Sequence, residues 1–226
     1  MKLEQTQTSA VYELIRLDII NGNLAAQAKL KTRELADRFD VGLSPIREAL
    51  SRLSSEGWVL QSDRRGFSVV PLSIDELWDL HHARCSLNEI CLRESIERGD
   101  TVWEENIQLS YFRISRLRRP AEIQDGEEME AWNKLHKSFH SSLICACKSR
   151  RMLTYCEGLF DEIERYRRVG LSHGEPRGDV GEEHENLAQA AIDRDAEKAA
   201  KLLNEHYTKT VIQVDNALRG GEICRL

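Results

Sequence analysis

The chain has 226 residues, 41% of them hydrophobic and 31% charged, with a net charge of −6 at pH 7. That is enough apolar material for one large core or two small ones, and it excludes collagenous, low-complexity and disordered classes. The longest apolar run, Leu143 to Cys147, is far short of the roughly 20 residues a membrane span needs. No basic stretch followed by an apolar one opens the chain, so a soluble, cytoplasmic protein with no membrane partner is expected. Few prolines and aromatics beside many Leu, Ala, Glu and Arg point to a mainly α fold.

Charge divides the chain. Residues 1–73 carry 10 basic and 9 acidic side chains, whereas the rest carry 22 and 29. A near-neutral segment can still bind nucleic acid when its arginines share a face, so position decides, not net charge.

In chain order, residues 8–22 have helical spacing, with Val11, Leu14, Ile15, Ile19 and Ile20 as an apolar stripe. A short second helix follows, with Thr32 as its expected N-cap and Leu35, Ala36 and Phe39 inward. Asp40-Val41-Gly42 is a turn. Ser44-Pro45 is read as an N-cap and first-turn proline of a third helix ending near Ser55, which buries Ile46, Ala49, Leu50 and Leu53. Arg47, Glu48, Ser51 and Arg52 fall on its other side. After Gly57 the period changes to that of two short strands, Trp58 to Leu60 and Phe67 to Val70, around the basic turn Ser62 to Gly66. Three helices and a two-stranded ribbon make a winged helix-turn-helix, whose third helix would enter the major groove.

The residues Arg33-Glu34-Leu35-Ala36, Val41 to Leu50, Leu53, Glu56-Gly57 and Gly66 resemble the DNA-binding domain of GntR-family transcription regulators over about residues 10–71. The resemblance implies contacts to double-stranded DNA from Arg33, Ser44, Arg47, Arg65 and Gly66. One departure stands out. Many members have Ser-Arg-Thr-Pro before the third helix, and this chain has Gly42-Leu43-Ser44-Pro45, which leaves Leu43 to meet a thymine methyl rather than a guanine.

Pro71 to Glu76 breaks the ribbon and restarts a helix, with Ser73 and Glu76 at capping-box spacing. The boundary is placed here, giving a DNA-binding domain over 1–72 and an all-helical domain over 73–226. Helical patterns run over 74–98, 101–117, 128–147, 149–169, 182–193 and 195–218, with no convincing strand. The six cysteines are unevenly placed and read as reduced. Cys85, Cys91 and Cys156 suit a core, Cys145 and Cys147 face different sides of a helix, and Cys224 lies in the C-terminal tail.

The histidines carry the chemistry. His136 and His140 are four apart and share a helix face. His184 and His206 would lie about 33 Å apart on one continuous helix. Asp193-Arg194-Asp195 interrupts it near the midpoint, and a helical hairpin folded there brings the two level. Four imidazoles would then converge if the His136–His140 helix packs on that hairpin, a donor set suited to zinc or nickel. Four ordinary, separately buried histidines are the alternative.

The stretch Trp132 to Cys147, Glu183-His184 and Ala190 to Asp195 with His206 resemble the FCD ligand-binding domain of the FadR subfamily. That resemblance implies a homodimer and a divalent transition metal, zinc first, with nickel and manganese as alternatives. The metal would sit at His140, His184 and His206. The family's acidic ligand position is His136 here, which makes the site more positive by one charge and leaves open both the metal's identity and His136's membership. Arg84 falls where the family has an arginine in the effector cavity, implying a small organic acid held by bidentate pairing. An ion pair from Arg84 to Glu89 or Glu94 is the plainer alternative. Ser95 to Asp100 and Glu164 to Arg167 extend the likeness to carbon-starvation-induced regulators of glutarate and 2-hydroxyglutarate catabolism, which leans towards a dicarboxylate or hydroxy acid. The expected function is therefore a DNA-binding regulator, a repressor acting on a near-palindromic operator. A metal-dependent enzyme built on the four histidines is the second reading, although no general base stands in a His-Glu-x-x-His pattern.

Overall fold

The computed structural model describes residues 6–62, 66–117, 126–170 and 178–220, which fall into two compact units dividing between Ser73 and Ile74.

The first unit opens with helix α1 (Gln7–Ile20), capped by the Thr6 hydroxyl, which accepts from the Ser9 amide at 3.2 Å. Its buried face is Val11, Tyr12, Ile15, Ile19 and Ile20. Leu14, expected in that stripe, is 47% exposed, because the inward face runs through Val11, Tyr12, Ile15 and Ile19 and leaves Leu14 beside it. Helix α2 (Thr32–Phe39) starts one residue before expectation. Lys31 occupies the cap position without a side-chain capping bond, and Thr32 is already helical. The same correction applies to helix α3 (Leu43–Ser55). Gly42 is its N-cap, and Ser44, inside the first turn, donates its hydroxyl to Glu48 Oε1 at 3.2 Å. Pro45 still costs nothing there, since the first amides of a helix have no carbonyl to bond. Ile46, Ala49, Leu50 and Leu53 are buried, as their spacing predicts.

Strands β1 (Lys29–Leu30), β2 (Val59–Ser62) and β3 (Gly66–Val69) form an antiparallel sheet in the order β1-β3-β2. In the ribbon Val59 pairs with Val69 and Ser62 with Gly66. The sequence reading missed β1, since two residues carry no periodicity. Its role is to pair with Phe67 and Ser68, which ties the wing to the segment before α2. Asp63, Arg64 and Arg65 lie outside the described residues.

The second unit contains α4 (Ile74–Arg98), α5 (Thr101–Ser115), α6 (Gly126–Ile144), α7 (Arg150–Gly170), α8 (Val180–Ile192) and α9 (Ala196–Gly220). Among the described residues it has no strand, and no helix is long and apolar enough to cross a membrane. Helix α4 packs along α7 and α9, α5 packs on α6 and α8, and α8 lies on α9. Ile96, Trp103, Ile107, Phe139, Leu187 and Leu203 belong to the shared core. Helix α6 stops at Ile144, three residues earlier than expected, and the turn that follows still buries Cys147 while Cys145 is exposed. Cys224 lies outside the described residues.

Two turns set the packing. Gly99 joins α4 to α5, where an added Cβ would stand 2.3 Å from the Trp103 ring and 2.7 Å from the Ser95 carbonyl. Arg194 turns α8 into α9 with φ at 61°. Its guanidinium donates to the Ile96 and Gly99 carbonyls at 2.5 and 2.9 Å, and it also bonds Glu104. The interruption read at Asp193 to Asp195 is thus a hairpin pinned to the α4–α5 turn.

Candidate functional site

Helix α6 presents His136 and His140 one turn apart, α8 supplies His184 and α9 supplies His206. The hairpin at Arg194 brings the last two level, with ring centroids 4.8 Å apart. All four are at most 5% exposed, and one ligand atom from each falls within 4.8 Å of all the others. These are residues that sequence spacing singled out, and the fold brings them together.

Electrostatics keep His136 and His140 uncharged. Burial, with the neighbouring imidazoles and guanidinium groups, holds His136 and His140 well below the usual histidine range. Neutral imidazole is the form that ligates a transition metal, so the donor set fits zinc or nickel. Outer partners orient the rings. His206 Nδ1 bonds Glu183 Oε2 at 2.7 Å, and Glu183 Oε1 accepts from Lys209 Nζ at 2.6 Å. His140 Nδ1 is 3.5 Å from the Tyr207 hydroxyl. Trp132 stacks on His136 at 4.6 Å.

Arg84 is 5% exposed. Its guanidinium lies 3.8 Å over the Tyr207 ring and 5.1 Å from Phe160, and its Nε has no hydrogen-bond partner. The plainer ion pairs do not form. Glu89 is taken by Arg93 at 2.9 Å and Asn204 at 2.7 Å, and Glu94 by Arg98 at 2.8 Å. Arg84 instead lines one small cavity with His136, His206, Tyr207 and Arg167. A second cavity of about 260 Å³ reaches His140 between Asn88, Arg150, Thr154 and Phe160.

The structure buries Arg167 at 5% exposure. Its Nη1 is 3.1 Å from His136 Nδ1, its Nη2 donates to Asn133 Oδ1 at 3.2 Å, and Glu164 Oε2 is 3.4 Å from its Nε. The only hint in the sequence was the Glu164–Arg167 spacing, which also suits an exposed pair.

In the first unit, Arg33, Arg47 and Gly66 line one groove together with Lys29, Lys31 and Gln61. Leu43 and Ser44 are exposed at the start of α3, outside that lining. Arg65, the remaining expected DNA contact, lies outside the described residues. Strand β1, missed in the sequence, brings Lys29 and Lys31 to this face.

Comparison with known proteins agrees with both units. The family model "Bacterial regulatory proteins, gntR family" matches residues 7–69, and the FCD domain model matches 79–209. The chain is 35% identical over 202 residues to "Uncharacterized HTH-type transcriptional regulator BphR" of Paraburkholderia xenovorans (strain LB400), covering 89% of this chain and 82% of that one. It is 30% identical over 216 residues to "HTH-type transcriptional repressor GlaR" of Escherichia coli (strain K12), covering 93% and 96%. Among solved structures, E. coli McbR/YncC shares the fold with a TM-score of 0.77 at 18% identity, over 92% of this chain and 97% of that one. The metal-dependent enzyme reading falls with these matches, because the four histidines sit inside the FCD domain of a transcription regulator. The chain belongs to the GntR family of bacterial transcription regulators, with a DNA-binding winged helix-turn-helix followed by a helical FCD domain, and it is not an enzyme.

Proposed function

We propose that this regulator is a cytoplasmic homodimeric repressor of a near-palindromic operator, and that its affinity for DNA answers to a small organic acid bound beside a metal in the FCD domain. The observation that carries the reading is the buried cluster of His136, His140, His184 and His206, two of which, His136 and His206, line one small cavity with Arg84. The histidines would hold a divalent transition metal, zinc first, and its charge would attract an anion. Arg84 adds a guanidinium that neither Glu89 nor Glu94 neutralises. A metal dication and a guanidinium together favour a dicarboxylate or a hydroxy acid, with one carboxylate turned to each. A dimer would set two α3 helices about one DNA turn apart, roughly 34 Å. Arg33, Arg47 and the wing from Arg65 to Gly66 would touch DNA, with Leu43 and Ser44 at the head of α3. The acid alters repression only if its affinity differs between the DNA-competent arrangement and another.

The test is fluorescence anisotropy at fixed salt, using zinc-loaded protein and DNA from upstream of its own and neighbouring genes, with a panel of small organic acids. Saturable binding that outcompetes random DNA, and that one acid weakens, is expected. Binding that no acid alters would remove the effector reading. In a parallel arm, His184→Ala is expected to lose metal and acid response while still binding DNA, and full metal occupancy in that variant would remove the site.

A further inference from the structure

Arg167 limits what His136 can do. A guanidinium has only donors and keeps its proton at any ordinary pH; burial lowers Arg167 from its usual value, but that value starts far above neutrality. At 3.1 Å from Arg167 Nη1, His136 Nδ1 must therefore be the acceptor. With Nδ1 accepting, the proton of the ring sits on Nε2. That Nε2–H is 3.0 Å from His140 Nε2, which accepts it. His140 then carries its own proton on Nδ1, towards the Tyr207 hydroxyl. His206 has the same arrangement, its Nδ1–H donating to Glu183. His140 Nε2 thus carries no proton and can exchange that hydrogen bond for a metal, whereas His136 Nε2 stays protonated as long as Arg167 faces Nδ1. Ligation through His136 Nε2 would require its proton to move to Nδ1, where it would face a donor.

We infer that His136 is not a metal ligand: Arg167 fixes it as a hydrogen-bond donor, so that His140, His184 and His206 hold the metal and His136 Nε2–H is offered to the anionic ligand. This rests on the proposal that the cluster binds a metal. It changes the chemistry of the site, which presents three neutral ligands and a directed N–H. A carboxylate oxygen entering the cluster would take that N–H in place of His140.

The test uses full-length protein stripped of metal and titrated with zinc alone against a chromophoric chelator, with X-ray absorption counting the imidazoles on the bound zinc. Wild type is expected to bind one zinc per chain with three imidazoles. His136→Gln should bind one zinc within about tenfold of wild type, whereas His140→Ala and His206→Ala should lose about a hundredfold or more, outer partners costing less than ligands. Arg167→Met removes the donor facing Nδ1, and its zinc should show four imidazoles. Four imidazoles in wild type, or a hundredfold loss in His136→Gln with unchanged far-ultraviolet circular dichroism, would overturn the inference and leave the metal centre standing. Three imidazoles persisting in Arg167→Met would remove Arg167 as the cause. Absence of zinc from wild type would overturn both readings. X-ray absorption on wild type needs no variant to fold.

Discussion

A single side chain can have different consequences in the two units. Arg47 is exposed on α3 and lines the basic groove, with no part in either core. Arg47→Ala should weaken operator binding by about 1–3 kcal/mol, roughly fivefold to 150-fold, with zinc content unchanged; equal operator affinity in the anisotropy assay would remove Arg47 from the interface. In the metal-free protein the buried imidazoles leave a pH signature. His136 and His140 have folded pKa values lowered from 6.5, so below about 6.5 the unfolded chain binds protons that the folded chain refuses. Stability therefore falls as the pH drops from about 7 towards 5. A lower urea midpoint at pH 5.5 than at pH 7.5 is expected for stripped protein, and zinc should oppose the loss. Equal midpoints would mean that the rings are not buried neutral.

Helix ends and turns show where local signals are decisive and where packing is. Gly99→Ala forces a methyl into the Trp103 ring and the Ser95 carbonyl, which should cost about 1–3 kcal/mol. Gly158, within α7, would meet nothing within 4 Å, so Gly158→Ala should stabilise by about 0.5–1 kcal/mol. Thermal melting of the two variants side by side checks both, and a common direction of change would refute the packing account of Gly99. Arg194→Ala removes the bonds to Ile96, Gly99 and Glu104 and should cost about 2 kcal/mol, read as a lower melting temperature. The bounds of α4 and the interruption at Arg194 were legible because polar and glycine breaks mark them. The starts of α2 and α3 were displaced by a residue or two, since Thr32 and Ser44 have the composition of caps but sit inside the first turn.

At the scale of the whole molecule the two units divide the chemistry. No histidine lies before His81, so a metal held by imidazoles stabilises the second unit. By mass action, zinc at about a thousand times its dissociation constant adds roughly 4 kcal/mol to that unit and nothing to the first. Calorimetry with and without zinc should move one transition and leave the melting of the isolated segment 1–73 unchanged. A shift in that segment would place metal in the wrong unit.

Sequence alone determined the two-unit order, the helical class, the winged helix-turn-helix and the four histidines, because each is written in short-range terms: periods of 3.6 and 2, turn residues, and a four-residue spacing on one face. It also carried the family through contiguous motifs such as Val41 to Leu50. Only the tertiary structure decided the surroundings of the site. That Arg84 lies against Tyr207 rather than pairing with Glu89, that Glu183 orients His206, and that Arg167 is buried against His136 all depend on helices distant in the chain. Composition treats an arginine run as solvated, and burial is a property of what packs over it. The same holds for β1, whose two residues become a strand only because β3 lies beside them.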